Sequence, residues 1–173
     1  MSTETGQVDA VFWDGKIFVP GGTVEFMVNT DELSIYDIDG DTWNTGDDVP
    51  YTGGLEGYAV EIMDGEMYML GGFDMPGQIW WTGVSVYDPS TDTWSPLAGT
   101  MNHGGWGLSA WAYDGEVFAA GETIMPISPT RRLPKRTILT AIRGAIPRWR
   151  IFPSRASARP TPWWRTTARA FST

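Results

Sequence analysis

Short runs of apolar residues recur along the first part of the chain, and Asp-Gly pairs separate them. The run AVFW is followed by Asp14-Gly15 and then by KIFV, and the run YAVEIM is followed by Asp64-Gly65 and then by EMYML. Asp-Gly is a preferred pair for a two-residue type I′ turn, because both central residues of that turn need positive φ. Each stretch therefore predicts an antiparallel β-hairpin.

The hairpin pattern repeats with a period of about fifty residues. The segments WDGKIFVPGG, MDGEMYMLGG and YDGEVFAAGE align, with their Asp-Gly pairs 50 residues apart. In phase with them, SIYDIDGDTW and SVYDPSTDTW each place a Trp seven residues after a Tyr. Each of these two segments predicts a third strand that turns through a polar corner into a fourth. The repeat positions are Asp14, Gly15, Gly21, Gly22, Tyr36, Trp43, Asp64, Gly65, Gly71, Gly72, Tyr87, Trp94, Asp114 and Gly115.

These residues resemble the kelch family, whose repeat forms one four-stranded blade of a β-propeller. The resemblance covers residues 8–122, with two full repeats and the first half of a third, in which Glu122 replaces the second Gly. It implies an all-β fold, a kelch-type β-propeller fragment of about two and a half four-stranded antiparallel blades. A propeller closes with about four to eight blades. We therefore expect open blade edges and self-association through them.

The charge of the chain changes sign near residue 126. Residues 1–125 contain 21 acidic residues and one Lys, a net charge of −20, whereas residues 126–173 contain ten Arg and one Lys, a net charge of +11. We divide the chain there, into kelch repeats that form an incomplete propeller (1–125) and a basic Arg- and Pro-rich tail (126–173). Seven prolines, self-repulsion and the lack of a steady period predict that the tail is largely disordered. A short helix in ILTAIRGAI is the alternative for that segment.

The genetic code suggests an origin for this tail. With the codons shifted by one frame, PWWRTTA is compatible with Val-Ala-Asp-Asp-Gly, and RWRIFP with Val-Ala-Asp-Leu-Pro. The segment starting TILTAIR is compatible with Tyr-Asp and a Trp seven residues after the Tyr. All three matches are in phase with the kelch repeat, which supports the hypothesis that the tail is an out-of-frame translation of further repeats. Nucleic-acid binding by its cations and tryptophans is the rival interpretation, but the −20 domain on the same chain would repel a polyanion.

The acidity of the repeats is typical of proteins from salt-loving microbes. Such a domain should loosen through self-repulsion at low ionic strength and recover when salt screens its charges. A calcium-dependent surface is the rival account, since Asp37, Asp39 and Asp41 alternate as in a calcium loop. However, Thr42 and Asp48 stand where the EF-hand pattern needs Gly and Glu. We interpret this corner as a solvated turn and predict no metal site.

The chain contains few of the His and Cys residues that commonly act in catalysis. The chain has no Cys and one His, His103, and no residue is marked as its partner in a Ser/His/Asp relay. The kelch fold also carries copper radical oxidases and sugar isomerases. The resemblance implies a Cys-modified Tyr and two His ligands for the oxidases, which this chain lacks. We predict no enzyme activity, no catalytic residue and no cofactor; the alternative is a remnant of an oxidase or isomerase whose catalytic residues lie in other blades.

The predicted function is that of a non-catalytic kelch-repeat binding scaffold for a protein or carbohydrate ligand. The repeat-position Tyr and Trp residues are assigned to blade packing. Trp80, Trp81 and Trp106 occupy no repeat position, and Trp80-Trp81 lie in a predicted loop, where binding residues concentrate. These three tryptophans are the candidate contact site. We predict neither a nucleic-acid partner nor a membrane partner, since no window approaches the roughly 18 apolar residues of a span.

Overall fold

The structure is a computed structural model that describes residues 4–25, 28–101, 104–122 and 137–143. Within these ranges every regular element is a β-strand, which confirms the predicted all-β fold. The strands form two four-stranded sheets, a three-stranded sheet and a two-stranded hairpin. No helix in the described ranges is long and apolar enough to cross a membrane.

The first two repeats each form one four-stranded antiparallel sheet, as predicted. Blade 1 contains, in spatial order, β1 (Val11–Trp13), β2 (Lys16–Glu25), β3 (Val28–Asp37) and β4 (Thr42–Gly46). Blade 2 contains, in the same spatial order, β5 (Ala59–Met63), β6 (Glu66–Leu70), β9 (Gly83–Asp88) and β10 (Thr93–Thr100). The fourth strand of each blade begins one residue before the Trp at which the sequence predicted it.

A small hairpin interrupts blade 2 between its second and third strands. It consists of β7 (Phe73–Asp74) and β8 (Ile79–Trp80), which pair with each other. The segment was predicted to be a loop. Two-residue strands carry too few residues for a periodic pattern, so the hairpin had no signal in the sequence.

The third repeat forms blade 3, a sheet of three antiparallel strands. They are β11 (Trp106–Tyr113), β12 (Glu116–Glu122) and β13 (Thr137–Arg143). The short helix proposed for ILTAIRGAI is therefore wrong, because β13 extends the sheet along β12. The free edge of β12 offers unpaired backbone groups, and TILTAIR is rich in β-branched residues. The predictions for residues 126–136 and 144–173 of the tail lie outside the described residues.

The Asp-Gly pairs form the predicted turns between the first two strands of each blade. Asp14, Asp64 and Asp114 have φ of 47°, 55° and 52°. The glycines that follow them have φ of 76°, 86° and 71°. Two successive residues with positive φ are what a type I′ turn requires, and Asp tolerates this region better than most side chains.

Blade 2 lies between the other two and contributes to both cores. Because side chains alternate along a strand, Met67 and Met69 face blade 1 whereas Tyr68 and Leu70 face blade 3. The core between blades 1 and 2 contains Phe18, Leu33, Val49, Leu55, Tyr58, Val60, Met67, Met69 and Tyr87. The core between blades 2 and 3 contains Ala59, Met63, Tyr68, Leu70, Val84, Val86, Met101, Leu108, Val117 and Ala119.

Candidate binding site at the Gly-Gly end of the blades

The second strand of each complete blade reaches its Gly-Gly doublet at one end of the molecule, here called the Gly-Gly end. Gly21 and Gly22 have φ of 68° and 107°, and Gly71 and Gly72 have φ of 64° and 111°. A Cβ on Gly21 would lie 2.9 Å from the carbonyl oxygen of Thr30. Only glycine fits this combination of backbone conformation and close approach. The doublets thus let neighbouring segments pack tightly around the site.

A buried polar cluster lies at this end, between blades 1 and 2. Glu56 is 1% exposed and Asn29 is 8% exposed. The Thr23 hydroxyl donates a hydrogen bond to Oε2 of Glu56, and its oxygen lies 3.4 Å from Oδ1 of Asn29. Nδ2 of Asn29 donates to the carbonyl oxygen of Phe73 at 3.3 Å. A buried carboxylate is costly unless hydrogen bonds compensate it, and Glu56 forms no ion pair with another described residue.

The backbone of Glu56 is anchored independently of its side chain. Its N–H donates to the carbonyl of Phe73 at 3.0 Å, and the N–H of Phe73 donates back at 2.8 Å. Next to it, the N–H of Gly57 donates to the carbonyl of Gln7 in the segment before blade 1, and the N–H of Leu108 in blade 3 donates to the carbonyl of Gly57. These bonds link all three blades and hold the carboxylate in a defined position.

Trp106 places an unpartnered hydrogen-bond donor against Gly57, the residue that follows Glu56. Its indole Nε1 is buried and has no hydrogen-bond partner among the described residues. The indole ring lies directly on Gly57, where any Cβ would overlap it. A buried donor without a partner costs about 1–3 kcal/mol. A polar atom of a bound molecule that reached the Trp106 N–H would therefore satisfy this donor.

Trp80 and Trp81 lie at the same end, on the inserted hairpin and just after it. The ring of Trp80 packs on Phe73 with 4.4 Å between centroids, and the ring of Trp81 meets Tyr51 edge-on at 4.7 Å. Both tryptophans are partly buried. A Cβ on Gly104 would lie 2.7 Å from Cβ of Trp80, so the segment leading to Trp106 passes directly over the pair. The structure thus brings all three predicted contact residues to one end of the molecule.

Tyr51 connects the hairpin to the loop between blades 1 and 2. Its hydroxyl donates to Oδ2 of Asp74 at 3.0 Å. Burial raises the pKa of the Tyr51 phenol above its usual value, and the hydrogen bond to Asp74 raises it further. The phenol therefore remains a neutral donor at physiological pH.

Comparison with known proteins identifies the repeats. The family model of the Kelch motif matches residues 55–101. The chain is a kelch-repeat protein. It is 34% identical over 89 residues to Kelch-like protein terF of Aspergillus terreus (strain NIH 2624 / FGSC A1156), a match that covers 47% of this chain and 19% of that protein. The solved structure of YjhT matches with a TM-score of 0.66 at 15% identity, covering 86% of this chain and 46% of its own.

The chain therefore spans about a fifth of the terF protein and about half of YjhT. The likeness to YjhT shows the fold alone. The polar cluster at the Gly-Gly end is a feature of this chain's own residues.

Sequence reasoning missed Thr23, Asn29 and Glu56 as members of the site in this kelch-repeat protein. One signal could have found Glu56, which precedes Trp106 by one repeat of 50 residues. Each residue directly precedes a glycine, Gly57 or Gly107, close to the start of the first strand of its blade. The contact of Thr23 with Glu56 spans 33 residues and depends on the packing of two kelch blades, which no local pattern encodes.

The acidic corner of the first kelch repeat is a hydrogen-bonded turn. Oδ1 of Asp37 accepts from the N–H of Gly40 at 2.9 Å, and Oδ1 of Asp41 accepts from the Tyr36 hydroxyl at 2.5 Å. In the described part of the chain, no group of three or more His, Cys, Asp and Glu side chains could hold a metal ion. His103 lies outside the described residues.

The opposite end of the kelch blades carries an open groove of about 300 Å³ between blades 1 and 2. Its lining includes Lys16, Asp37, Asn44 and Tyr87. The unpartnered buried donor, however, lies at the Gly-Gly end. That end is the stronger candidate site.

Proposed function

We propose that this kelch-repeat protein is a non-catalytic binding scaffold whose ligand contacts the Gly-Gly end. The observation that carries the proposal is the buried indole N–H of Trp106, which has no partner in the described residues and whose ring lies on Gly57, the residue after the buried Glu56. A protein or a carbohydrate could provide the complementary groups, and the chemistry of the site favours a carbohydrate. Ligand sites commonly combine aromatic walls with a few converging polar groups.

A hydroxyl group matches both polar atoms of the site. It can accept a hydrogen bond from the Trp106 indole, which only donates, and donate one to the Glu56 carboxylate, which only accepts when ionised. The rings of Trp80 and Trp81 offer apolar surface for the C–H face of a sugar. Because residues 1–125 carry a net charge of −20, an uncharged ligand is favoured over an anionic one.

The make-up of the site supports binding over catalysis. Thr23 and Asn29 carry a hydroxyl and an amide, so the cluster contains a single carboxyl group, that of Glu56. Carboxylate-based glycoside hydrolysis uses a pair of such groups. The alternative is the remnant of a kelch-propeller enzyme of the oxidase or sugar isomerase type whose catalytic residues lie in other blades, and it predicts turnover of a bound sugar only when those blades are present.

The test follows the Trp106 indole N–H resonance in ¹⁵N–¹H spectra during titration with glucose, galactose, N-acetylglucosamine, maltose and cellobiose. We expect a saturable shift with at least one sugar. Trp106→Phe keeps an aromatic ring without the N–H, and Glu56→Gln keeps the shape without the charge; each should weaken binding about tenfold or more. Trp13→Phe, on β1 at the opposite end of blade 1, is the matched control and should bind normally.

Two results would contradict the proposal. One is unchanged sugar affinity in Trp106→Phe with an unchanged unfolding curve. The other is conversion of the sugar to a new product, detected by mass spectrometry of the same samples, which would show that the chain is itself catalytic.

The acidic repeats support a second, physical proposal, that concentrated salt stabilises the fold. Far-UV circular dichroism from low to molar NaCl should show strand signal gained with salt, equally with and without chelator. A gain that requires calcium and disappears with chelator would favour the rival, calcium-dependent surface.

A further inference from the structure

The four strands of blade 2 align one residue each into a row that faces blade 1. Paired residues on antiparallel strands point to the same face of a sheet. The pairing of each strand with the next defines this row, and every member packs in the core shared with blade 1. The row consists of Ile62, Met67, Tyr87 and Trp94.

Blade 1 has the same row on its corresponding face, but no described blade covers it. The row is continuous across the four strands of blade 1. Its first and last members, Phe12 and Trp43, are 61% and 42% exposed. The row, called here the front row, consists of Phe12, Ile17, Tyr36 and Trp43.

The contact between blades 1 and 2 shows what kind of surface fits such a row. The ring of Phe18 in blade 1 lies 6.0 Å from that of Tyr87 in blade 2. Nε1 of Trp94 donates to the carbonyl of Asp47 at 2.8 Å, and the N–H of Asp47 donates to Asp92 at 2.7 Å. The fitting surface is therefore the back face of another kelch blade, with an aromatic residue on its second strand.

Blade 3 presents such a back face. Phe118 follows Asp114 by four residues, as Phe18 follows Asp14, so the two phenylalanines occupy equivalent positions. Phe118 pairs across the strands with Trp111, and their rings stack at 6.2 Å and 11°. Trp111 is 41% exposed and Tyr113, on the same face, is 72% exposed. Trp111, Tyr113 and Phe118 are called here the back row.

We propose that a second copy of this chain packs head to tail, with the back row of one copy on the front row of the other. In this arrangement Phe118 lies on Tyr36 of the neighbouring copy as Phe18 lies on Tyr87 within the chain. Charge favours the same pairing, since Asp37, Asp39 and Asp41 flank the front row, whereas residues 126–173, which follow β12 and include β13, carry a net charge of +11. Two copies together supply about six blades, within the range in which propellers close.

The test uses sedimentation velocity of the full chain over a range of concentrations. We expect the unmodified chain to associate, and Trp43→Ala and Trp111→Ala each to weaken every head-to-tail contact by roughly 30-fold, the effect of losing one hot spot in that contact. Ile79→Ala is the matched control, because Ile79 is 50% exposed on the inserted hairpin and belongs to neither row. This control should associate like the unmodified chain.

Mixing the two variants tests the head-to-tail geometry itself. A Trp43→Ala chain keeps an intact back row and a Trp111→Ala chain keeps an intact front row, so an equimolar mixture should form heterodimers through one restored contact. A monomeric unmodified chain would overturn the proposal. So would a mixture that fails to associate although each variant unfolds like the unmodified chain, since that result indicates a surface that pairs with itself.

Discussion

The corner between the third and fourth strands occurs twice in this protein, with the same internal geometry and different surroundings. In blade 1 the rings of Tyr36 and Trp43 lie 5.0 Å apart at 44°, and in blade 2 those of Tyr87 and Trp94 lie 5.1 Å apart at 45°. Yet Trp43 is 42% exposed and Tyr87 is 1% exposed. Tyr87 thus packs between two blades, whereas Trp43 packs on Tyr36 within its own blade and keeps a large exposed fraction.

The two corners also share a hydrogen bond between the tyrosine and an aspartate five residues later. The tyrosine hydroxyl donates to Oδ1 of Asp41 in blade 1 and of Asp92 in blade 2, and these two aspartates have φ of 49° and 53°. Among the described residues, Asp92 but not Asp41 also accepts the N–H of Asp47, which directly follows the last strand of blade 1. The comparison teaches that the hairpin sequence builds the corner, whereas the neighbouring blade decides how much the corner contributes to stability.

The largest expected difference is between Tyr87→Ala and Tyr36→Ala. Removing Tyr87 leaves a cavity between blades 1 and 2 and should reduce the free energy of unfolding by about 3–5 kcal/mol. Tyr36→Ala removes a ring that is not covered by another blade and should cost less than half as much. Urea denaturation followed by circular dichroism, at a protein concentration that keeps the chain monomeric, measures both. Equal losses of stability in the two variants would mean that the neighbouring blade does not stabilise the corner.

A smaller difference in the free energy of unfolding is expected between Asp92→Asn and Asp41→Asn. Asparagine tolerates positive φ and keeps one acceptor oxygen, so the substitution mainly removes the charge from the hydrogen bonds. Asp92 accepts two bonds and should lose about 1–2 kcal/mol, whereas the exposed Asp41 should lose a few tenths. The same denaturation curves provide the test, and a larger loss in Asp41→Asn would contradict this account.

The smallest difference should appear at alkaline pH. Burial raises the pKa of Tyr87, and its hydrogen bond to Asp92 raises it further; the hydrogen bond to Asp41 is the main cause that raises the pKa of Tyr36. Because both folded-state pKa values exceed the usual tyrosine value of about 10, the stability that depends on the neutral phenols is complete below that pH and declines above it. The urea midpoint should therefore fall above about pH 10.

Two phenylalanine variants show how much each tyrosine contributes to the loss of stability at alkaline pH. Tyr87→Phe should flatten the decline of the midpoint more than Tyr36→Phe, and absorbance at the tyrosinate band, compared between the two variants, should show the Tyr36 phenol ionising before that of Tyr87. If the urea midpoint of Tyr87→Phe fell more steeply with pH than that of the unmodified chain, ionisation of Tyr87 would not be the cause of the loss.

Much of the fold could be predicted because its signals are local. Asp-Gly pairs at a spacing of 50 residues identify the hairpins, and the Tyr-to-Trp step identifies the outer two strands of a blade. Strand β13 escaped prediction, since its pairing with β12 depends on a free sheet edge and not on its own pattern.

The candidate site could be predicted only in part. Trp80, Trp81 and Trp106 stood out because they break the repeat, and the structure places them at one end of the molecule. Nothing in the sequence pattern distinguished Glu56 and Thr23 in this way. They meet only because blades 1 and 2 pack together, which brings residues 33 positions apart into hydrogen-bonding contact.

The sequence by itself determined the blade: its turns, its strand pairing and the aromatic corner of each repeat, because those features depend on residues close together along the chain. The tertiary structure alone decided which copy of that corner is buried, where the indole N–H of Trp106 is left without a partner, and which aromatic rows lie on the outer faces. Burial depends on what packs against a surface. Identical local geometry therefore has different energetic weight in blades 1 and 2.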